Sequence, residues 1–203
     1  PDINRERLEQ DTSYTCVVDK WGNAFSATPS DAVFGSPIVP SLGLMISSRG
    51  SQSWLDPDHP SSVAPWKRPR LTPNPAMAFK SGRLFMPFGT PGGDAQCPAM
   101  VQTFLNVVEF GMNPQAAIEA PRFVPWNFPN SFWPHAYHPG LIHLEGRISR
   151  EVGQNLSTRG HKVEFIDDWS PSTGAMSCIL IDQQTGSLSA GADPRRDAYA
   201  IGR

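Results

Sequence analysis

Thr12, in the run Asp11-Thr12-Ser13-Tyr14-Thr15-Cys16-Val17-Val18-Asp19, has surroundings that could give it chemistry. A threonine hydroxyl is a poor nucleophile until a base stands beside it. One source of that base is the α-amine exposed on the same residue when the preceding peptide bond is cut. Scission of Asp11-Thr12 would supply an amine with an unperturbed pKa of about 7.7–8.0, near enough to neutrality to accept a proton. The reaction also needs a place for negative charge. Gly92-Gly93 is the natural one, because glycines let backbone N–H groups approach a tetrahedral intermediate, and a helix opening near Asp94 would point its positive end there. Plainer readings exist for both. Thr12 could simply begin a strand, where β-branched residues are common, and Gly-Gly could be a turn between strand and helix. The glycine stretch fits neither a phosphate loop, since Lys-Ser/Thr is missing, nor a dinucleotide fingerprint.

These residues must be positioned by short elements. Residues 1–11 are polar and charged, with no face to bury. Over residues 15–27, two apolar-rich runs flank Lys20-Trp21-Gly22-Asn23 and predict a hairpin. Residues 41–65 are rich in Ser, Gly, Pro and Asp, which predicts short strands joined by long loops. A second hairpin, 76–79 and 84–88, turns at Lys80-Ser81-Gly82-Arg83 and delivers the chain to Gly92-Gly93. Asp94 is expected to cap a helix along which Val101, Phe104, Leu105 and Val108 recur at helical spacing up to Gly111. Asn113-Pro114 opens a second helix through Glu119. Residues 122–140, aromatic and proline-rich without periodicity, read as a packed loop. A strand at 141–144, a helix at 149–158, a strand at 162–166 and a hairpin at 178–181 and 187–191 complete an α+β layered pattern.

The 203 residues carry a formal charge of -2 and 39% hydrophobic content, with 21 prolines, roughly twice average usage. The absence of Lys/Arg blocks excludes an electrostatic nucleic-acid binder, and no apolar run reaches the roughly 18–20 residues of a membrane span. Because the chain opens on Pro1 rather than Met, a processed piece is expected, and any targeting segment would lie upstream. Cys16, Cys97 and Cys178 are far apart and lack metal-ligand spacing, so free thiols and a reducing, cytoplasmic compartment fit, with periplasmic or secreted alternatives open. Cys16 and Cys178 read as small buried side chains. His59, His135, His138 and His143 lack the convergent spacing of a metal site, so neither metal nor cofactor is implied.

From Thr12 to Arg203 the chain resembles the small subunit of γ-glutamyltransferases, members of the N-terminal nucleophile hydrolases. Besides the Thr12 run, the likeness is carried by Val17-Val18-Asp19-Lys20-Trp21-Gly22-Asn23-Ala24, Lys67-Arg68-Pro69, Gly89-Thr90-Pro91-Gly92-Gly93, Ala120-Pro121-Arg122-Phe123 and Gly191-Ala192-Asp193-Pro194-Arg195. The resemblance implies an αββα sandwich and autocleavage between Asp11 and Thr12. It makes residues 1–11 the end of the large subunit or a linker, and residues 12–203 a small catalytic subunit that is not stable without the large one. It also assigns Gly92 and Gly93 to the oxyanion loop. Ser30 falls where the family carries a hydroxyl residue, usually threonine, that bonds the nucleophile. Thr28 aligns with another family threonine; a turn role beside Pro29 is equally open for it.

Substrate positions depart from the transferase pattern. A glutamine and an aspartate that hold the donor's α-amino end align with Arg49 and Gln52. A pair of serines on the donor carboxylate aligns with Leu71 and Thr72, and a substrate-contacting asparagine with Ala32. A cation cannot replace an acid that binds ammonium, whereas Arg49 offers planar donors suited to a carboxylate. The expectation is an amide with an acidic acyl group, as in the oxamate amidohydrolases and glutaryl-type cephalosporin acylases of the same family. An exposed arginine without a role is the plainer reading of Arg49. The rivals are a true γ-glutamyltransferase using glutathione and a non-catalytic homologue serving as a binding or assembly subunit. Trp126, Phe128, Phe132, Trp133 and Tyr137 could line an acceptor pocket, but packing beneath a loop is the reading favoured for them.

Overall fold

A computed structural model describes residues 12–31 and 36–202. Asp11, the segment 1–11 and Ala32 lie outside the described residues. The first hairpin forms as the sequence predicts: β1 (Thr15–Val18) pairs antiparallel with β2 (Ala24–Ala27). Gly22, at φ 83°, makes the reversal, and the Asp19 carboxylate accepts hydrogen bonds from the Trp21 and Asn23 amides across it. In the loop-rich stretch the two-residue strands β3 (Ile38–Val39) and β4 (Leu44–Met45) pair, followed by a 3-10 turn, Ser48–Gln52.

The second hairpin, β5 (Ala76–Lys80) and β6 (Arg83–Gly89), reverses through Ser81 and Gly82, both at positive φ. Next come α1 (Gln96–Val108), α2 (Pro114–Glu119), β7 (Phe123–Pro125), β8 (Leu141–Glu145), α3 (Arg150–Thr158), β9 (Lys162–Ile166), β10 (Ser177–Ile181) and β11 (Leu188–Ala192). Strands β11-β10-β6-β5 make a four-stranded antiparallel sheet. In the sheet β7-β8-β9, β7 pairs antiparallel and β9 parallel to β8, the parallel step being crossed by α3.

Strand alternation assigns the faces of the larger sheet. Met86 and Phe88 of β6, with Cys178 and Leu180 of β10, pack against Ala99, Met100, Val107, Ala117 and Ile118 of the two helices. Gly89 points the other way, so close to Tyr14 that a Cβ there would lie 2.3 Å from its ring. The β1–β2 hairpin thus stacks on one face and the helices on the other, giving the order helix, sheet, sheet.

Three local expectations need correction. Asp94 does not cap α1: Gly92 begins a 3-10 turn, Gly93–Ala95, that runs into the helix, and neither start has a side-chain cap. The Asp94 carboxylate instead accepts from the Ser131 amide at 2.7 Å and from the Ser131 hydroxyl. Residues 122–140 are not all loop, because β7 begins there. The helical stripe of α1 is rotated as well: Ala99, Met100, Thr103 and Val107 face the core, while Val101 is 57% exposed and Leu105 and Val108 are also exposed. Small residues approach the sheet more closely than the branched ones on the next face. All three cysteines are free, Cys178 buried, Cys16 half-buried and Cys97 exposed.

Candidate active site

Thr12 and Ser30 form an isolated antiparallel bridge at the mouth of the first hairpin, reinforced by a hydrogen bond from the Ser13 amide to the Pro29 carbonyl at 3.0 Å. This register places the Thr12 Oγ1 and Ser30 Oγ atoms 2.6 Å apart, with either hydroxyl able to donate. Ser30 is held from its far side by Arg49, which donates from Nη2 to the Ser30 hydroxyl and from Nε to the Ser30 carbonyl, the latter at 3.2 Å.

Arg49 is placed by the 3-10 turn it belongs to. Asp31 anchors that turn by accepting from the Ser48 amide and hydroxyl at 3.1 and 3.2 Å. From there Arg49 Nη1 donates to Gln52 Oε1 at 3.1 Å and reaches Thr72 Oγ1 at 3.5 Å. The predicted positions Thr12, Ser30, Arg49, Gln52 and Thr72 therefore form one connected chain. Among the described residues every acceptor of Arg49 is neutral, so no carboxylate there cancels its charge by direct contact. Gln52 is fully buried, and among the described residues its Nε2 lacks a partner. Thr28 is buried, and among the described residues its hydroxyl has no partner, so it makes no side-chain bond to this hydrogen-bonded series.

Gly92 and Gly93 adopt φ of 129° and 54°, backbone that an L side chain resists. A Cβ on Gly92 would also lie 3.1 Å from the Gly174 Cα. Among the described residues neither glycine amide finds a backbone acceptor, which leaves both free to donate outward. They share with Thr12 a cavity of about 320 Å³, whose walls include Trp126, Asn130, Phe132, Ser170 and Arg196. A mainly apolar cleft of about 740 Å³ borders it through Gly93, Asp94 and Trp126 and carries Leu71 and Thr72 on its wall. Trp126, Phe128 and Phe132, for which packing is the favoured sequence reading, thus border open space, Phe128 on the larger cleft, whereas Trp133 and Tyr137 are exposed and line neither.

The glycine loop is braced from behind. Thr90, wholly buried, donates to the Pro91 carbonyl at 2.6 Å and accepts from the Ala175 amide at 2.7 Å. The segment facing it is clamped in turn: Arg122 donates to the Thr173 carbonyl at 3.0 Å, and the Met176 amide donates to Asp193 at 2.8 Å. Behind these, Arg195 grips Glu145 with two contacts of 2.5 and 2.6 Å and Asp193 at 3.1 Å, while Arg122 pairs with Asp193. Ile118 and Ala120 carbonyls take further guanidinium protons. Burial works to raise the Glu145 pKa, but the Arg195 hydrogen bond, the Arg122 amide and the nearby arginine charges outweigh it and hold the carboxyl below its usual value. The two Arg-containing stretches noted in the sequence thus meet in one buried network behind the Gly92-Gly93 loop.

Sequence reading did not single out Arg196, Asp167, Ser170, Ser172 or Asn130 as cavity residues. No local signal marks Arg196, which follows Arg195 directly in the sequence. Among the described residues there is no cluster of three His, Cys, Asp or Glu side chains suited to a metal ion, and no helix long and apolar enough to cross a membrane.

Residues 3–203 match the family model described as Gamma-glutamyltranspeptidase. The chain is 36% identical over 194 residues to the glutathione hydrolase-like YwrD proenzyme of Bacillus subtilis (strain 168), covering 95% of this chain and 36% of that protein. It is 33% identical over 194 residues to the oxamate amidohydrolase proenzyme of Klebsiella pneumoniae, covering 95% of this chain and 35% of that protein. The chain therefore spans about a third of the length of these relatives. The solved gamma-glutamyltranspeptidase from Pseudomonas nitroreducens, complexed with L-DON, superimposes with a TM-score of 0.75 at 20% identity, covering 95% of this chain and 100% of that one. The fold is accordingly α+β of the N-terminal nucleophile hydrolase type, and the helix, sheet, sheet order of this chain is part of its αββα sandwich.

Proposed function

The chain belongs to the gamma-glutamyltranspeptidase family, and from that membership we propose that it is the small catalytic part of a threonine-nucleophile amide hydrolase or acyltransferase, matured by cleavage between Asp11 and Thr12. The observation that carries this reading is the 2.6 Å contact between the Thr12 and Ser30 hydroxyls, at the wall of a cavity that Gly92 and Gly93 share.

Cleavage leaves Thr12 with a free α-amine. In the acylation step this amine removes the Oγ1 proton while Oγ1 bonds to the amide carbon, and the carbonyl oxygen takes its charge to the Gly92 and Gly93 amides. Collapse breaks the carbon–nitrogen bond. The proton passes from the α-amine to the leaving nitrogen, giving a free amine and an ester on Thr12. Water or a second amine then resolves the ester by the same proton path. The Arg49 cation, one hydroxyl removed from Thr12, favours the neutral, proton-accepting form of the α-amine. Loss of one oxyanion donor typically costs about 10²- to 10³-fold in kcat.

The acyl group is read as acidic. Arg49 aligns with the family position that holds a donor amine, and among the described residues its acceptors are all neutral, which supports a cation there opposing the ammonium of a γ-glutamyl donor. Thr72 supplies a hydroxyl on the same side. The partner is the large subunit of the same precursor. Exposed Val17, Trp21 and Phe25 on the hairpin, and Val101, Leu105 and Val108 on α1, give it apolar surface to cover.

The test is turnover by matured full-length protein of glutaryl-p-nitroanilide against γ-glutamyl-p-nitroanilide, with Thr12→Ala as control. Preference for the glutaryl compound is expected. Equal turnover of both would remove the Arg49 argument, and release that survives Thr12→Ala would remove the nucleophile.

A further inference from the structure

Among the described residues Arg196 is the one cation on the wall of the nucleophile's cavity, and its position is unlike that of the arginines around it. Arg122 and Arg195 are buried and paired with carboxylates and carbonyls, although among the described residues the Arg122 Nε has no partner. Arg196 is half-buried, and among the described residues its guanidinium makes no hydrogen bond or ion pair. Burial disfavours its charge and lowers its pKa from the ordinary arginine value, an effect that Asp193 only partly offsets. A guanidinium stays charged even so, and it carries planar donors matched to a carboxylate.

The surroundings add acceptor-compatible groups. Ser170 and Ser172 lie on the same wall, their hydroxyls 2.7 Å apart, so that one proton of the pair can be aimed into the cavity. Asp167, exposed on that wall, forms no ion pair with Arg196. Arg49, Gln52 and Thr72 do not line this cavity; Thr72 lies on the neighbouring cleft. A substrate amide held at Thr12 with its acyl part toward Arg49 and Thr72 must direct its amine part into the cavity that Arg196 borders.

We infer that Arg196, aided by the Ser170–Ser172 hydroxyl pair, is a specificity residue for the leaving side of the amide and selects an amine that bears a carboxylate, as in an N-acyl amino acid. This rests on the function proposed above. A single carboxylate is favoured, because Asp167 and Asp94, the latter engaged by Ser131 and Arg70, line the same cavity and repel a second anion.

Two chromogenic amides that differ only in this group provide the test: glutaryl-p-nitroanilide and glutaryl-3-carboxy-4-nitroanilide, with matured full-length protein. Wild type is expected to show the lower KM for the carboxylated compound. Arg196→Gln should raise that KM on the order of tenfold to a hundredfold, leave the uncharged anilide nearly unchanged, and be partly rescued by Arg196→Lys. Equal effects on both anilides, or none on either, would overturn the assignment while leaving the Thr12 chemistry standing. If wild type turns over neither compound, the proposed function fails, and equilibrium binding decides the fate of Arg196. Tighter binding of 5-amino-2-nitrobenzoate than of p-nitroaniline, lost in Arg196→Gln, supports the site; no such difference overturns it.

Discussion

Ser30 joins Thr12 to Arg49: its hydroxyl lies 2.6 Å from the Thr12 Oγ1 and accepts from the Arg49 guanidinium on the other side. A hydroxyl fixed by a cation is a stiff partner for a nucleophile. Ser30→Ala should remove that contact and leave Arg49 with one acceptor fewer. A hydrogen bond to a charged group contributes about 1.5–3 kcal/mol, so kcat/KM should fall about tenfold to a hundredfold. Ser30→Thr should keep most activity. Steady-state rates of the two variants check this, and because Arg49 shares the network, Ser30→Ala with Arg49→Met should be non-additive.

Replacing Gly92 and Gly93 should have unequal effects. Gly92→Ala places a methyl 3.1 Å from the Gly174 Cα at a φ of 129°, whereas at Gly93 the nearest atom, on Phe132, is 4.0 Å away and the φ of 54° is the milder left-handed region. Left-handed backbone costs an alanine roughly 1–2 kcal/mol, and displacing an oxyanion donor costs about 10²-fold or more in kcat. Gly92→Ala should therefore lower both kcat and thermal stability more than Gly93→Ala. Equal Tm values would contradict the packing of Gly92 against Gly174.

The buried network predicts a pH dependence. Glu145 has a folded-state pKa below its usual 4.5, so its contribution to stability is fully present above about pH 4.5 and is lost as pH falls through the depressed folded value. Denaturant unfolding between pH 6 and pH 3 should show that loss, and Glu145→Gln should flatten it. Asp193→Asn leaves Arg122 and Arg195 undercompensated and should cost about 3–5 kcal/mol, as breaking a buried ion pair does.

Activity should rise with pH as the Thr12 α-amine loses its proton, with the midpoint moved down from the ordinary value of such an amine. The neighbouring Arg49 cation is the cause. In Arg49→Met the kcat/KM profile should move to higher pH, a change that a simple loss of packing would not produce.

Much of this arrangement was legible in the residues, because glycine-bearing turns and alternating apolar runs fix the hairpins and the register at Thr12 follows from them. Gly92-Gly93 was likewise visible as a place where backbone must come close. The misreadings share one cause, which is that local signals were overridden by tertiary partners. Asp94 has the type of a cap, but its carboxylate is taken by Ser131 from far along the chain. The branched residues of α1 mark a helix correctly, yet Ala99, Met100 and Val107 win the sheet-facing side. β7 hides in a proline-rich stretch because its pairing partner, β8, lies beyond an intervening loop. Nothing local distinguishes Arg195 from Arg196, since one is buried by Glu145 and Asp193 and the other lines the cavity.

Intact-mass measurement of the expressed full-length precursor bears most directly on the role of Thr12. Two polypeptides are expected, the smaller one beginning at Thr12, and Thr12→Ala should leave a single uncut chain without amidase activity. An active preparation in which the bond before Thr12 remains intact would contradict the account.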